Sequence, residues 1–405
     1  MTSNLLEYTH ELKGYQILKY EFSGEDVVVH VSKEPELFSC RSCKSNNVNA
    51  TRVAVRRIKC LPIGIKQTRF KVHMHRLTCR DCKAYLMEEV DFIESTQSRT
   101  SKVLDRYVIE LRNHMTIKAV SVHYDLHWST VKNIEKKHLT EKYKDINLSD
   151  VTAIGIDEVF MGKKLGEKGF LTIVRDLNSG AVLFVGKGKK GECLDPFAKK
   201  LHEAKALLKY VAVDLAPSFT SWIKSNFPHA TIVYDHFHVI KLMNDKVSNI
   251  RRRLMSSLED EDKSELKGMR WHFNLNNENL SETAKNELQS CCKIFEELGM
   301  AYALKEGLRR IYTLKNVEFA ETALVYWCEK AEQSGIKEML TMAKTIRKHG
   351  PGILAFWETG ITSAGMEGFN NKIGWLNRQA YGYRDEEYLI LKIFDLPNLK
   401  VTNEL

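Results

Sequence analysis

The sequence predicts a multidomain protein of mixed α+β and α/β class, with a β-rich finger, a helical pair and a mixed-sheet core that an all-α insertion interrupts. Three observations predict this architecture: paired C-x-x-C motifs in a basic stretch, short apolar strands alternating with helical patterns after residue 150, and a long helical stretch before the last acidic helix. With 405 residues, 43% of them hydrophobic, the chain can form two to four domains with proper cores.

The N-terminal residues lack the basic and apolar regions of a signal peptide, and no apolar run approaches the roughly 18 residues of a membrane-spanning helix. We therefore expect a cytoplasmic protein with no membrane partner. In that reducing compartment the nine cysteines are not expected to form a disulfide framework, so their spacing is interpreted in terms of metal binding.

Residues 1–95 are predicted to form a β-rich domain with a structural zinc ion. The motifs Cys40-Arg-Ser-Cys43 and Cys79-Arg-Asp-Cys82 supply four thiolates, and the two-residue gap lets both sulfurs of one motif reach a tetrahedral Zn²⁺. Alternating segments at 53–58 and 70–77 predict a β-hairpin between the motifs. Because the gap between the motifs is long, three other side chains stay open as alternative ligands: His73, His75 and Cys60.

Upstream of this finger, segments 15–22 and 26–31 alternate in polarity around Ser-Gly-Glu. The pattern predicts another hairpin, which we expect to pack against the finger. It contains no residues with evident chemistry.

The net charge of +9 is concentrated in the finger. Residues 41–82 contain 11 lysines and arginines, Arg56 and Arg57 among them, against the single Asp81, a local balance of +10. Such a concentration is typical of a surface that contacts nucleic-acid phosphates. A solvated basic face is the alternative, and the neighbouring cysteine motifs favour DNA binding.

Residues 96–150 are predicted to form a helix-turn-helix domain. A helical pattern at 103–113 is followed by a segment with Ile117, Val120 and Val122 near one face, a break, and a second helix capped by Ser129. The second helix would present polar side chains to a DNA major groove, with its cap near a phosphate. The predicted contacts are Ser129, Thr130, Lys132, Asn133 and Lys136. An ordinary helical hairpin is the alternative.

From residue 151 the pattern changes to that of a mixed sheet, which is predicted to form the first part of a core over 151–240. Strands are predicted at 153–160, 169–175, 181–186, 210–214 and 231–235, and helices at 194–208 and 217–227. Three strands, a helix, a strand, a helix and a strand is the order of an RNase-H-like fold, in which the first and fourth strands are neighbours.

Acidic residues end the first and fourth strands. Asp157 and Asp214 are therefore expected to lie side by side, and Glu367, on a late amphipathic helix, is expected to join them. Carboxylate oxygens suit two Mg²⁺ or Mn²⁺ ions about 4 Å apart, which can drive in-line attack on a phosphodiester. Glu158 is expected on the opposite strand face, and Asp176 in a solvated turn.

Glu367 lies in a segment, 361–405, that is predicted to return to the core. The apolar stripe of its helix is predicted to be Met366, Phe369, Ile373, Leu376 and Ala380. Asn371 and Lys372, on the polar edge beside Glu367, are available for phosphate oxygens. An ordinary surface glutamate is the alternative.

Asp235 and His238 follow the fifth predicted strand. Either His238 contacts the scissile phosphate or orients a metal ligand, or the pair belongs to an ordinary helix start capped by Asp235. After this pair, helical patterning over 241–360 predicts an all-α insertion between the second and third acids. Its helices are predicted at 239–258, 283–298, 302–311, 319–331 and 336–347.

Together these motifs resemble the DDE transposases of bacterial insertion sequences, of the ISL3 type with an N-terminal finger. The resemblance covers nearly the whole chain. Besides the finger and the helix-turn-helix it rests on Gly155-Ile-Asp-Glu158, Val213-Asp214, Tyr234-Asp-His-Phe-His-Val239, Met366-Glu-Gly-Phe-Asn-Asn-Lys-Ile373 and Ala380-Tyr-Gly-Tyr383. The resemblance implies that Asp157, Asp214 and Glu367 are the catalytic acids.

A transposase of this type would bind the terminal inverted repeats of its element, cut the element end and join the freed 3′ hydroxyl to target DNA, as a homodimer or higher oligomer on double-stranded DNA. Two other functions stay open: a metal-dependent nuclease that cuts without joining, and a DNA-binding regulator with an inactive core. Strand joining distinguishes the transposase from the nuclease, and metal-dependent cleavage distinguishes both from the regulator.

Overall fold

The computed structural model describes residues 5–24, 26–162, 169–259, 263, 266–362 and 364–398. The chain divides into two compact units, Met1–Lys144 and Asp145–Leu405. The first contains a five-stranded sheet and short helices, and the second contains another five-stranded sheet with a larger set of helices. The finer division into domains stays a prediction.

Strands β1 to β5 of the first unit are Tyr15–Ser23, Asp26–Lys33, Val48–Ile63, Lys66–Cys79 and Tyr85–Met87. Both hairpins predicted from alternating polarity are confirmed as antiparallel pairs, β1 with β2 and β3 with β4. The first hairpin joins the second edge to edge instead of packing against it, because β2 pairs with β4 in parallel, Val29 opposite Phe70. One continuous sheet results, with order β1-β2-β4-β3 and β5 on β4.

The helices of the first unit are α1 (Leu5–Thr9), α2 (Lys102–Arg112), α3 (Ile117–His123) and α4 (Trp128–Lys142). The prediction that Ser129 caps α4 is wrong: the N-cap is His127, whose Nδ1 accepts the backbone N–H of Ser129 at 3.3 Å. The predicted apolar face of α3 is also wrong at Val122, which is 67% exposed. Side chains two positions apart on a helix point roughly 200° away from each other, so Val122 cannot share the buried side of Val120.

Strands β6 to β10 of the second unit are Ala153–Phe160, Phe170–Asp176, Val182–Lys187, Tyr210–Val213 and Thr231–Tyr234. Their order is β10-β9-β6-β7-β8, so the first and fourth strands of this unit are neighbours, as predicted. β6, β7 and β8 are antiparallel, whereas β6, β9 and β10 are parallel. Helix α5 (Asp195–Glu203) precedes β9, and α6 (Pro217–Asn226) connects β9 to β10. α5 is shorter than predicted because the chain turns at Lys205, with φ 54°.

The chain after β10 is helical, as predicted. Helices α7 to α12 are His236–Ser257, Arg270–Asn274, Glu282–Ile294, Glu296–Ile311, Val317–Gln333 and Lys337–Thr359. Two predicted bounds are wrong: the helix at 283–298 breaks at Phe295, and the helix expected to end at 347 continues past Pro351. Gly352 lies against the Tyr234 ring, where a Cβ would come within 2.5 Å. This close packing on β10 offsets the hydrogen bond that an internal proline removes.

The second sheet has a core on each face. Ile154, Ile156 and Val174 belong to one core, together with residues of α5 to α12. Val159, Leu171 and Ile173 belong to the other, with α13 (Ala364–Gln379) and α14 (Glu386–Asp395). Within the described ranges, none of the helices is long and apolar enough to cross a membrane.

Candidate active site and cysteine cluster

Two aspartates lie at the same level of neighbouring parallel strands: Asp157 is inside β6, which continues to Phe160, and Asp214 directly follows β9. The prediction that an acid ends the first strand is therefore wrong for Asp157. Gly155 of β6 pairs with Ala212 of β9, and Asp157 and Asp214 each follow two residues later. Parallel register therefore brings both aspartates to the same edge of the sheet. Asp235 stands at this edge as well, directly after β10, which pairs in parallel with β9.

Two hydrogen bonds hold the carboxylate of Asp157. The backbone N–H of Glu158 donates to Oδ1 at 2.8 Å, and the side-chain amide of Asn370 donates to Oδ2 at 2.6 Å. Burial raises the pKa of Asp157, and the nearby charge of Asp214 raises it further, against a lowering by the bond from Glu158. Divalent cations neutralise carboxylates that repel one another in this way.

Asp214 and Glu158 are further carboxylates near Asp157 at this edge of the sheet. Oδ1 of Asp214 accepts the backbone N–H of Ala216 at 2.9 Å. Glu158 lies on the strand face opposite Asp157, as expected from the alternation of side chains. Burial and the charge of Asp214 raise the pKa of Glu158 to about 7, whereas Lys189 lowers it. Glu158 and Lys189 therefore lie within electrostatic reach of the aspartate pair.

Asp235 and His238 show the helix cap, one of the two alternatives that the sequence left open. Asp235 is 3% exposed and caps α7, accepting the backbone N–H of Phe237 at 3.2 Å. Nε2 of His238 lies 4.0 Å from Oδ2 of Asp235. Both residues also act on Asp157, because Asp235 raises the pKa of that carboxyl and His238 lowers it. The helix cap is thus observed, and the pair is close enough to the aspartates for a role in the site.

The helix that carries Glu367, α13, lies on the Asp157 face of the sheet. Four predicted stripe residues are buried in its core: Met366, Phe369, Ile373 and Leu376. Ala380 lies beyond the helix end at Gln379 and is exposed, so its place in the stripe is wrong. Glu367 is exposed and precedes Asn370 by three residues, which places both on one side of the helix. Since Asn370 binds Asp157, α13 reaches the aspartate pair.

The three acids provide hard oxygen donors but are not gathered around one point. In the part of the chain that the structure describes, they do not form a group that could hold an ion in the way that the cysteines do. Mg²⁺ is commonly bound by one or two carboxylates, with waters and substrate phosphates as the other ligands. The three carboxylates are therefore donors of the kind that divalent cations bind when waters and phosphates supply the remaining ligands.

Arg175 on β7 binds the start of α13, a role that no local pattern in the sequence indicates. Its Nη1 donates to the carbonyl oxygen of Gly365 at 2.7 Å, and its Nε and Nη2 donate to that of Gly180 at 3.0 and 2.6 Å. The guanidinium also lies over the ring of Phe369, 4.2 Å from its centroid. Residues 190 positions apart share no local pattern, so only the folded chain shows the contact.

Replacing Arg175 with methionine is expected to lower the free energy of unfolding of the second unit by about 2–3 kcal/mol, because the charge-assisted hydrogen bonds and the cation–π contact are lost. Urea unfolding measures the change. Arg378→Met, at an exposed position near the end of α13, is the control and should alter stability by less than about 0.5 kcal/mol. Equal stability of the two variants would exclude an anchoring role for Arg175.

The four predicted zinc ligands converge in the first unit. The Sγ atoms of Cys40, Cys43, Cys79 and Cys82 all lie within 4.8 Å of one another. Cys40 is 3.5 Å from Cys82, and Cys43 is 3.6 Å from Cys79. Zinc–sulfur bonds of about 2.3 Å in a tetrahedron separate the sulfurs by roughly 3.8 Å, so these spacings fit a Zn²⁺ ion. The alternative ligands Cys60, His73 and His75 do not belong to the group.

The two C-x-x-C motifs share one backbone form. In each, the backbone N–H of the first cysteine donates to the carbonyl oxygen five residues later, at 2.8 and 2.9 Å. The residues after the second cysteines, Lys44 and Lys83, are left-handed, with φ of 60° and 61°. Asp81 joins the motifs by accepting hydrogen bonds from Ser45 and Asn47. The ligand loops are thus shaped by the backbone as well as by the sulfurs.

The predicted DNA contacts differ in exposure. Arg57 is exposed, whereas Arg56 is half-buried and donates to the carbonyl oxygen of Ser98 at 2.5 Å. Thr130 and Asn133 line a cleft of about 600 Å³ between α4 and residues 94–100. Ser129, Lys132 and Lys136 are half-buried on α4, and Asn371 and Lys372 are exposed on α13. Arg57 and the exposed Asn133 are therefore the most accessible predicted contacts of the first unit.

Known proteins similar to this chain are transposases. A family model described as Transposase, that of the ISL3 group of DDE transposases, matches residues 154–393. The transposase for insertion sequence element IS1001 of Bordetella parapertussis is 28% identical over 396 residues, which cover 96% of this chain and 97% of the relative. The transposase for insertion sequence element IS1557 of Mycobacterium tuberculosis (strain CDC 1551 / Oshkosh) is 27% identical over 288 residues, 65% of this chain and 64% of the relative.

Among solved structures, the Drosophila P element transposase strand transfer complex aligns with a TM-score of 0.41 and 10% identity, over 74% of this chain and 92% of that chain. The family match alone covers more than half of the sequence. The chain therefore belongs to the ISL3 family of DDE transposases, and the insertion-sequence transposase predicted from its motifs is confirmed.

Proposed function

We propose that the second unit is an RNase-H-like catalytic core in which Asp157, Asp214 and Glu367 bind two divalent cations, Mg²⁺ or Mn²⁺. The strand order and the two aspartates at the same level of adjacent parallel strands support this core. The hydrogen bond from Asn370 to Asp157 carries the proposal, because it ties the helix of Glu367 to the aspartates. In this proposal residues 241–360 are an all-α insertion into the core.

The proposed reaction consists of two phosphoryl transfers. Water attacks the phosphorus at the element end, the bond to the 3′ oxygen breaks, and a free 3′ hydroxyl remains on the element. That hydroxyl attacks a target phosphodiester, whose own 3′ oxygen leaves and takes up the proton. Bound cations would polarise the phosphodiester and activate the attacking oxygen. Each step exchanges one phosphorus–oxygen bond for another, so the reaction needs no oxidant or reductant.

Several side chains of the second unit would orient the reacting phosphate and its ligands. Asp157 is oriented by Glu158 and Asn370 before any substrate binds. We assign His238, whose charge acts on Asp157, to contact with the scissile phosphate or to orientation of a metal ligand. Asn371 and Lys372 are exposed on α13 and would contact phosphate oxygens of the DNA.

The first unit is proposed to bind the terminal inverted repeats as double-stranded DNA. A zinc ion held by the four cysteines would fix the basic finger, from which Arg57 projects. Helix α4, the second of the proposed helix-turn-helix, would contribute Asn133 to major-groove contacts. Because an element has two related ends, two protomers would pair them, which implies a homodimer or a higher oligomer on DNA.

Strand joining tests the proposal directly. The purified full chain, Mg²⁺, a labelled terminal repeat and a target plasmid are incubated together, and joined product is expected. A repeat with scrambled terminal bases is the control. Nicks without joining would support a metal-dependent nuclease instead, and binding without cleavage would support a DNA-binding regulator with an inactive core. Withholding the divalent cation should remove all product while DNA binding persists.

A further inference from the structure

Asn370 can hydrogen-bond to ionised Asp157 in only one orientation of its side-chain amide. An ionised carboxylate accepts hydrogen bonds and donates none, so the amide nitrogen of Asn370 must face Oδ2 of Asp157, as it does at 2.6 Å. This orientation fixes where the amide oxygen points. Oδ1 of Asn370 is buried and has no hydrogen-bond partner among the residues that the structure describes.

A buried acceptor without a donor is destabilising, so its position beside a proposed metal ligand points to a donor that binds there. A water molecule bound to a divalent cation would be such a donor, because the cation makes the water a stronger acid and a better hydrogen-bond donor.

The sheet fixes the position of Asn370. One turn earlier, Met366 lies over Gly155, where a Cβ would come within 3.0 Å of Met366 Cγ. Arg175 holds the carbonyl of Gly365 from the neighbouring strand, at 2.7 Å. The helix turn that carries Asn370 therefore contacts the sheet at two points, Met366 and Gly365. These contacts hold the amide against Asp157 without a flexible loop.

We propose that Asn370 is a positioning residue of the catalytic centre, which holds one carboxylate oxygen of Asp157 through Nδ2 and accepts a hydrogen bond from cation-bound water through Oδ1. The inference deepens the proposed function and rests on the cation site of Asp157. Partners of this kind typically change metal affinity by about ten- to a hundredfold when they are removed.

Mn²⁺ binding to the zinc-loaded full chain, followed by electron paramagnetic resonance without DNA, tests the proposal. Asn370→Leu keeps the side-chain size but removes both hydrogen bonds, and is expected to weaken Mn²⁺ binding about ten- to a hundredfold. Gln379→Ala, exposed at the end of the same helix, is the control and should bind Mn²⁺ like the native chain. Equal melting temperatures verify that the variants fold.

A variant that combines Asn370→Leu with Asp157→Ala distinguishes positioning of Asp157 by Asn370 from a general effect of Asn370 on packing. If Asn370 acts through Asp157, adding Asn370→Leu to Asp157→Ala should weaken Mn²⁺ binding by much less than it does alone. Unchanged Mn²⁺ affinity in Asn370→Leu, or a fully additive loss in the double variant, would overturn the inference. Failure of the proposed function looks different: the native chain would then bind Mn²⁺ in an Asn370-dependent way but would not join DNA.

Discussion

Replacing Asp157 with asparagine is expected to reduce DNA cleavage and strand joining by on the order of a thousandfold or more, while binding to the terminal repeat persists. A bound cation contributes several kcal/mol to charge stabilisation in the transition state, and each 1.4 kcal/mol corresponds to tenfold in rate. The substitution removes the charge of a proposed ligand and keeps its size, but its single oxygen can keep only one of the hydrogen bonds from Glu158 and Asn370. Single-turnover assays with labelled repeat DNA measure both steps.

The same variant should gain stability relative to the native chain as the pH rises from about 4 toward neutral, when no divalent cation is added. Burial and Asp214 raise the pKa of Asp157 in the folded protein above its unfolded value of about 3.9. The folded state therefore loses stability as the pH rises from about 3.9 through the folded pKa, and asparagine does not titrate. The stability difference should shrink as the pH falls toward about 4, which thermal unfolding at several pH values measures.

Glu203→Gln, at an exposed carboxylate on α5, is the matched control for Asp157→Asn and should not change activity. An Asp157→Asn protein that joins DNA at the native rate would remove Asp157 from the proposed chemistry. An inactive variant whose stability relative to the native chain does not rise with pH would indicate a structural role instead.

The order of the second sheet could be predicted because its signals are local. Each strand is a short apolar run, and the acids sit where the runs end, so parallel pairing of β6 with β9 suffices to bring Asp157 and Asp214 to one edge. The position of the glutamate helix is different. Its apolar stripe indicates that one face is buried but does not specify the sheet face, which Met366 over Gly155 and Arg175 at Gly365 determine.

Several of the wrong details arise where local patterns leave more than one arrangement possible and the folded chain selects one of them. His127 and Ser129 can both accept a backbone N–H at a helix start, and the ring nitrogen does so here. Pro351 ordinarily ends a helix, but the packing of Gly352 on Tyr234 holds α12 together. Likewise, the parallel pairing of β2 with β4 joins two hairpins whose local patterns describe each of them alone.

Replacing Cys79 with serine is expected to weaken zinc binding by about a hundredfold or more and to open the loops of both C-x-x-C motifs. Structural zinc sites in finger peptides supply roughly 10–16 kcal/mol, so the loss of one of four thiolates is expected to remove about 3 kcal/mol. The sheet beneath has its own core, which includes Val29, Ile58 and Phe70, and should stay folded. Hydrogen exchange should therefore rise in residues 39–47 and 79–87 but not in the centres of β2 and β4.

Cys60→Ala is the matched control, because Cys60 is also a buried cysteine of this unit but lies outside the cluster. It leaves all four ligands in place, so the zinc content measured by native mass spectrometry should stay at one ion per chain, with only a modest loss of stability from the small cavity. Loss of zinc from Cys60→Ala but not from Cys79→Ser would show that the ligand set is wrong.

If Cys79→Ser loses zinc and also binds the terminal repeat more weakly, the finger is needed for DNA binding. If it loses zinc and binds the repeat normally, recognition belongs to α4 and the zinc ion only stabilises its neighbours.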